Sequence, residues 1–214
     1  MKDIPMFTSE FGVASLFLRE IPYRKRAHIK IRSASDPEKL VEECIDFCRA
    51  CGAEWMDCAG HPYLEKFPLL ATLVKMQCDK SVIPPSGACL FPVTEETMQQ
   101  WLDIYNQYME NVPNSAYMDK EDGKELLKAG DGYFVHENGE LLGIGKASND
   151  FIHAVVAVRP GKGETVVRAL TEVLNGGVIS LMVAQQNTRA VRLYERMGFV
   201  AVQELSRWYQ IFGK

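Results

Sequence analysis

Hydrophobic and polar positions along this chain switch between a period of two and a period near 3.6. Phe11 to Ile21 is rich in Val, Leu and Phe, Pro22-Tyr23-Arg24-Lys25-Arg26 is polar, and Ala27 to Arg32 alternates apolar with polar. That pattern predicts two strands around a solvated hairpin tip, with one face buried and one wet. After Ser33-Ala34-Ser35-Asp36 the period lengthens. Leu40, Val41, Cys44, Ile45, Cys48 and Cys51 make one helical stripe, Ser35 or Asp36 can cap it, Pro37 suits its first turn, and Gly52 ends it. Trp55 to Gly60 then reads as a short strand, His61 to Phe67 as a brief helix, and Leu69 to Met76 as another strand.

Asp79 to Gly87 contains Pro84-Pro85-Ser86-Gly87, which punctuates rather than continues either period. It predicts a linker over 81–87 between a unit at 1–80 and a unit at 88–214. The second unit opens with a strand at Ala88 to Val93. A helix follows, with Met98, Trp101, Leu102, Tyr105 and Tyr108 on one face, and a second helix covers Lys120 to Ala129. A hairpin is predicted at 132–136 and 141–146, because Asn138-Gly139 is the residue pair of a tight turn. Phe151 to Val158 is the next strand. Beyond a glycine-containing turn, Val166, Leu170, Val173 and Leu174 share a helix face that ends at Gly176-Gly177.

Composition narrows the classes. With 214 residues and 47% apolar residues, the chain can bury a sizeable core. Residues 1–86 carry 12 basic and 12 acidic side chains, and residues 87–214 carry 12 and 16, for a net charge of −4. Neither half is the cationic surface that binds nucleic acid non-specifically. No run approaches the length of a membrane span, and the first residues lack an apolar export core, so the expected setting is cytoplasmic, with no membrane partner. The six cysteines are then expected as reduced thiols. Cys44, Cys48 and Cys51 have the spacing of an iron–sulfur site, but they recur on one helix face and read as small buried hydrophobes. No metal is expected.

The most informative stretch comes late. Val178 to Val183 is a buried strand, Asn187 stands where a helix cap belongs, Ala190, Leu193, Tyr194 and Met197 recur at helical spacing, and Gly198 stops the helix before Phe199. Asn187-x-x-Ala190-x-x-x-Tyr194-Glu195-x-x-Gly198-Phe199 resembles the second conserved motif of the GCN5-related N-acetyltransferases, the GNAT superfamily. The element order over 88–214, β-α-α-β-β-β-α-β-α-β, is similar to that family's as well. Residues 1–80 follow the order of the later part of such a domain without its motifs, as a degenerate copy or by coincidence.

The resemblance implies an α/β acyl-coenzyme A N-acyltransferase fold on a mixed sheet. It also implies acetyl-coenzyme A as co-substrate and a primary amine of a small molecule or peptide as acceptor. The turn Val158-Arg159-Pro160-Gly161-Lys162-Gly163-Glu164-Thr165 resembles the family's phosphate-binding loop in shortened form, with Pro160 and Thr165 at positions where the family has Gln/Arg and Gly/Ala. Gly161, Lys162, Gly163 and Thr165 are its expected contacts. The family also implies a thioester carbonyl held by a backbone amide near Val156 to Val158. Asn187 is then a ligand of the pantetheine arm or simply a cap. Tyr194 is the acid for the departing thiolate or simply a core aromatic. The family often places a glutamate base on the preceding strand. Here that strand has no carboxylate, and His153 is its one titratable group. A non-catalytic acyl-coenzyme A binding or assembly module is the alternative, and either is compatible with a homodimer.

Overall fold

The computed structural model describes residues 1–213. In chain order the elements are β1 (Ile4–Ser9), β2 (Gly12–Phe17), α1 (Ile21–Arg24), β3 (Arg26–Ala34), α2 (Pro37–Ala50), β4 (Trp55–Ala59), β5 (Leu69–Asp79) and β6 (Cys89–Pro92). They continue with α3 (Met98–Met109), α4 (Lys120–Ala129), β7 (Gly132–Glu137), β8 (Glu140–Ser148), β9 (Phe151–Ala157), α5 (Gly163–Glu172), β10 (Val178–Ala184), α6 (Thr188–Arg196) and β11 (Val200–Phe212). Among the described residues no helix is long and apolar enough to cross a membrane.

The chain forms two compact units, Met1–Leu73 with Leu205–Lys214, and Val74–Glu204. The expected break at 81–87 therefore falls inside the second unit. Backbone and side-chain bonds hold that segment there: Lys80 N–H donates to Gly177 O at 2.8 Å, and the Ser86 amide donates to Glu172 Oε1 at 2.8 Å. The expected end of the second unit is also displaced, since the chain after Glu204 belongs with the first.

The first unit orders its strands β1-β2-β3-β4-β11. β2 and β3 are antiparallel, whereas β3 and β4 run parallel because α2 crosses between them. Pro37 opens α2 and the Asp36 side chain accepts from Lys39 N–H at 3.2 Å, so the sequence cap signals are used as written. Leu16, Ile29, Leu40, Met56 and Leu64 fill the core under this helix. Cys44 and Cys48 lie buried in the same core, where loss of solvation pushes both thiols up to about 12. Pro22 to Arg24 is not a hairpin tip: it is a helical turn, with Lys25 in the left-handed region at φ 55° to end it. A strand at Ile4–Ser9, which the hydrophobic pattern does not announce, pairs with β2.

The second unit repeats this plan. Its strand order is β6-β7-β8-β9-β10-β5, with antiparallel pairing through β9 and a parallel β9–β10 pair spanned by α5. So β7-β8-β9-β10-β5 follows the same strand order as β1-β2-β3-β4-β11. Two apolar layers cover the sheet. One, with Val166, Leu170, Leu181 and Phe199, lies under α5 and α6. The other, with Trp101, Leu102, Leu126, Phe134, Ile144 and Val156, lies under α3 and α4.

Candidate functional site

The site starts from a failure of two strands to stay together. β9 and β10 are neighbours, yet their register covers only Phe151 with Ser180 and Ile152 with Leu181. Beyond that pair the strands part, and the rest of β9 faces a gap. In the first unit the corresponding strands β3 and β4 stay in register over five pairs, from Arg26 with Trp55 to Lys30 with Ala59. There Gly60, at φ 101°, keeps the chain so close to β3 that a Cβ would stand 2.4 Å from Ile31 O. The Asp36 carboxylate also caps the helix that comes after β3. The first unit is closed where the second is open.

Strand alternation decides which amides face the gap. Val158 N–H donates to Leu142 O at 2.9 Å, and Ile144 pairs with Val156 in the same ladder. With a two-residue repeat, the amides of Val156 and Val158 therefore point toward β8, and those of Val155 and Ala157 point away from it, toward the gap. This corrects the expectation by one residue. Val156 contributes a buried side chain to the layer under α3 and α4, and Val158 packs against the same layer.

The strand leads into the shortened turn. Arg159 and Pro160 are exposed, Gly161 adopts φ 80°, and Lys162 stands at the N-cap of α5 with no side-chain hydrogen bond to the helix amides. The first bond into the helix is Val166 N–H to Lys162 O at 3.0 Å, so the amides of Gly163, Glu164 and Thr165 precede it, as at any helix start. A Cβ on Gly163 would stand 3.1 Å from Leu193 Cδ2 of α6, so this glycine lets the two helices approach. Two ion pairs surround the turn. Lys162 Nζ donates to Glu137 Oε2 at 2.7 Å, and Arg168 pairs with Glu164 one turn along α5. Arg168, and not Lys162, therefore offsets the charge of Glu164. The i,i+4 spacing of Glu164 and Arg168 was readable, whereas Glu137 is brought to Lys162 only by folding.

On α6, Asn187 is the N-cap: its side-chain oxygen accepts from Ala190 N–H at 3.2 Å, and its amide –NH₂ group remains for another partner. Tyr194 is buried, its ring 5.8 Å from that of Phe199, and its hydroxyl has no hydrogen-bond partner among the described residues. Burial pushes its phenol up to about 12. His153 sits on β9 at a register slip against β8, with Nε2 3.1 Å from Ser148 Oγ. Burial lowers its proton affinity and the nearby Lys146 ammonium lowers it further, while Asp131 acts in the opposite sense. Among the described residues no group of three His, Cys, Asp or Glu side chains is placed to hold a metal ion.

Gap, free amides and glycine turn together fit a thioester of coenzyme A. A pantetheine arm offers amides that can pair with a strand edge, and a pyrophosphate is met by exposed N–H groups at a helix start.

No family model matches the sequence, and no curated protein matches it. Solved structures do. The chain is similar to a conserved protein of unknown function from Staphylococcus epidermidis at 12% identity, with 95% of this chain and 91% of that one covered and a TM-score of 0.62. It is similar to a putative acetyltransferase from Pyrococcus horikoshii at 14% identity, covering 95% and 70% of the chains, with a TM-score of 0.62. A GNAT-family acetyltransferase from Colwellia psychrerythraea matches at 8% identity over 96% and 84% of the chains, with a TM-score of 0.52. At these identities the likeness is one of fold: the chain has the mixed α/β fold of the GNAT acetyltransferases.

Proposed function

We propose that the Val74–Glu204 unit is an N-acetyltransferase that uses acetyl-coenzyme A to acylate a primary amine of a small molecule or peptide. The observation that carries this reading is the parting of β9 and β10 after Ile152 and Leu181, with the Val155 and Ala157 amides turned toward the gap. Without that parting the turn before α5 would lie in an ordinary paired crossover, as α2 does between β3 and β4 in the first unit.

Acetyl-coenzyme A supplies, when bound, an electrophilic thioester carbonyl and a thiolate that can leave. Val155 and Ala157 offer amide donors suited to a pantetheine carbonyl or the thioester oxygen. The first turn of α5, with Gly161 and Gly163, suits the pyrophosphate. Thr165 offers a hydroxyl, and Asn187 an amide group, to the same ligand. His153 takes the proton that the attacking amine must lose. Tyr194 keeps its proton at neutral pH and donates a hydrogen bond to the leaving sulfur. A phenol this weakly acidic acts mainly as a donor and gives up its proton only as the thiolate forms.

A second reading has its own support. Pro160 and Thr165 replace the family's loop residues and β9 carries no carboxylate, which suits a non-catalytic acyl-coenzyme A binding module. Calorimetric titration with acetyl-coenzyme A, alongside a Gly163→Glu variant and an assay for release or transfer of the acetyl group, tests both. Binding lost in the variant and accompanied by acetyl transfer supports the enzyme. Binding without any release supports the module, and no binding by the unaltered protein defeats both.

A further inference from the structure

Polar side chains outside the glycine turn and α6 gather beside His153. Asp131, at the head of β7, is only 6% exposed. Its Oδ2 lies 3.7 Å from Lys146 Nζ, and its Oδ1 is buried with no hydrogen-bond partner among the described residues. Its backbone carbonyl accepts from Ala147 N–H at 2.9 Å, which ties it to β8. A carboxylate buried with an idle oxygen is costly, and the apolar layers around it give no packing reason for one.

The sheet geometry supplies a reason. Lys146 faces Ala154 and Ala147 faces Ile152, so His153 is an extra residue on β9, a bulge that re-aims its side chain. The ring is fixed on two sides: Nε2 lies 3.1 Å from Ser148 Oγ, and Phe151 stands 4.9 Å away between ring centroids. The groups facing His153 are thus Lys146 and Ser148 from β8, Asp131 from the head of β7, and Phe151 from its own strand. One of its nitrogens is engaged by Ser148 and the other is not.

We propose that Asp131, Lys146 and Ser148 are positioning residues for His153, which together present its Nδ1 as an unprotonated base. This rests on the acetyltransferase reading. Asp131 anchors the Lys146 ammonium beside the bulge, and Ser148 Oγ accepts from Nε2–H, which leaves the lone pair on Nδ1. When the acceptor amine forms its bond to the acyl carbon, its proton moves to Nδ1; the carbon–sulfur bond breaks, and coenzyme A leaves as a thiolate that is hydrogen-bonded by Tyr194 and protonated from solvent. The resulting imidazolium is repelled by Lys146 and passes the proton to solvent.

The test is the ¹⁵N NMR titration of His153 in the unaltered protein and in Lys146→Met, Lys146→Arg and Asp131→Asn, with kcat/KM for acetyl transfer measured over the same pH range. The proposal expects the Nε2–H tautomer in the unaltered protein. Lys146→Met moves the titration midpoint up and Lys146→Arg restores it, while Asp131→Asn moves it down. The acid limb of kcat/KM moves with it, so the rate of Lys146→Met at pH 6 falls by on the order of three-fold. Because Asp131→Asn can disturb folding, the two Lys146 variants decide the matter. An Nδ1–H tautomer, a midpoint indifferent to Lys146, or a midpoint that moves while the rate profile stays fixed overturns the proposal. NMR shifts as expected in a protein that transfers no acetyl group keep the charge arrangement and remove the acetyltransferase reading instead.

Discussion

Leu181 and Ile152 are the last residues of β10 and β9 to face one another across the parallel ladder. Past them each strand runs free of the other, and β9 turns the Val155 and Ala157 amides to the space between them. This opening, and the charges around it, set how the protein should respond to substitution.

Replacing Tyr194 with Phe removes a hydroxyl that has no partner among the described residues, so unfolding free energy should change by less than about 1 kcal/mol. Turnover should fall about 10²-fold, the range of a lost acid catalyst, while affinity for acetyl-coenzyme A holds. Because burial raises the phenol to about 12, the activity of the unaltered protein should show no alkaline loss from this group up to about pH 10. Steady-state kinetics and calorimetry check this. Equal loss of turnover and affinity, or of neither, removes Tyr194 from the acid role.

Glu137 holds the Lys162 ammonium in an ion pair, which on the proposed reading keeps it from the coenzyme A phosphates. Removing its charge in Glu137→Gln should tighten coenzyme A binding about two- to five-fold at low salt, with the gain fading above about 0.5 M salt. Calorimetry at two ionic strengths measures it, and unchanged or weaker binding refutes the assignment.

Asn187→Ala removes the cap on α6. A loss of about 1 kcal/mol in stability is expected from the vacated Ala190 amide alone. If Asn187 also holds the pantetheine arm, coenzyme A affinity drops, whereas Asn187→Ser restores stability without affinity. Denaturant titration with and without ligand separates the two roles.

The first unit holds a buried ionic cluster. His28 Nδ1 lies 2.8 Å from Asp57 Oδ2, and Nε2 lies 3.6 Å from Glu20 Oε1. Burial would lower the proton affinity of His28, but the hydrogen bonds and charges of Asp57 and Glu20 outweigh it and raise the imidazole to about 10. A raised folded value stabilises below the unfolded value near 6.5 and is lost as pH climbs through about 10. His28→Ala should therefore cost about 3–5 kcal/mol at pH 6 and clearly less at pH 10.5. Trp208, whose indole stands 6.3 Å edge-on to His28, provides a fluorescence readout of unfolding. An equal cost at both pH values would refute a charged His28.

Elements that act through local chemistry were legible in the amino-acid sequence. Asp36, offered together with Ser35, and Asn187 were legible as caps because a side-chain oxygen two or three residues from free amides acts within its own turn. Asn138-Gly139 was legible as a hairpin for the same reason, and the GNAT motif from Asn187 to Phe199 named the fold through residues close in the chain. The remainder depended on packing between distant segments. Whether two parallel strands stay paired depends on what each packs against. Nothing in Phe151 to Val156 or in Ala27 to Arg32 distinguishes a strand that parts from its neighbour from one that does not. The choice of Val155 and Ala157 over Val156 and Val158 comes from register with β8, and one residue of register reverses every amide. Glu137 beside Lys162 and Asp131 beside Lys146 are pairs of distant positions that meet only across a folded sheet. The same holds for the boundary between the units: Leu205 onward joins the first unit because its strand pairs with β4, which is far from it along the chain.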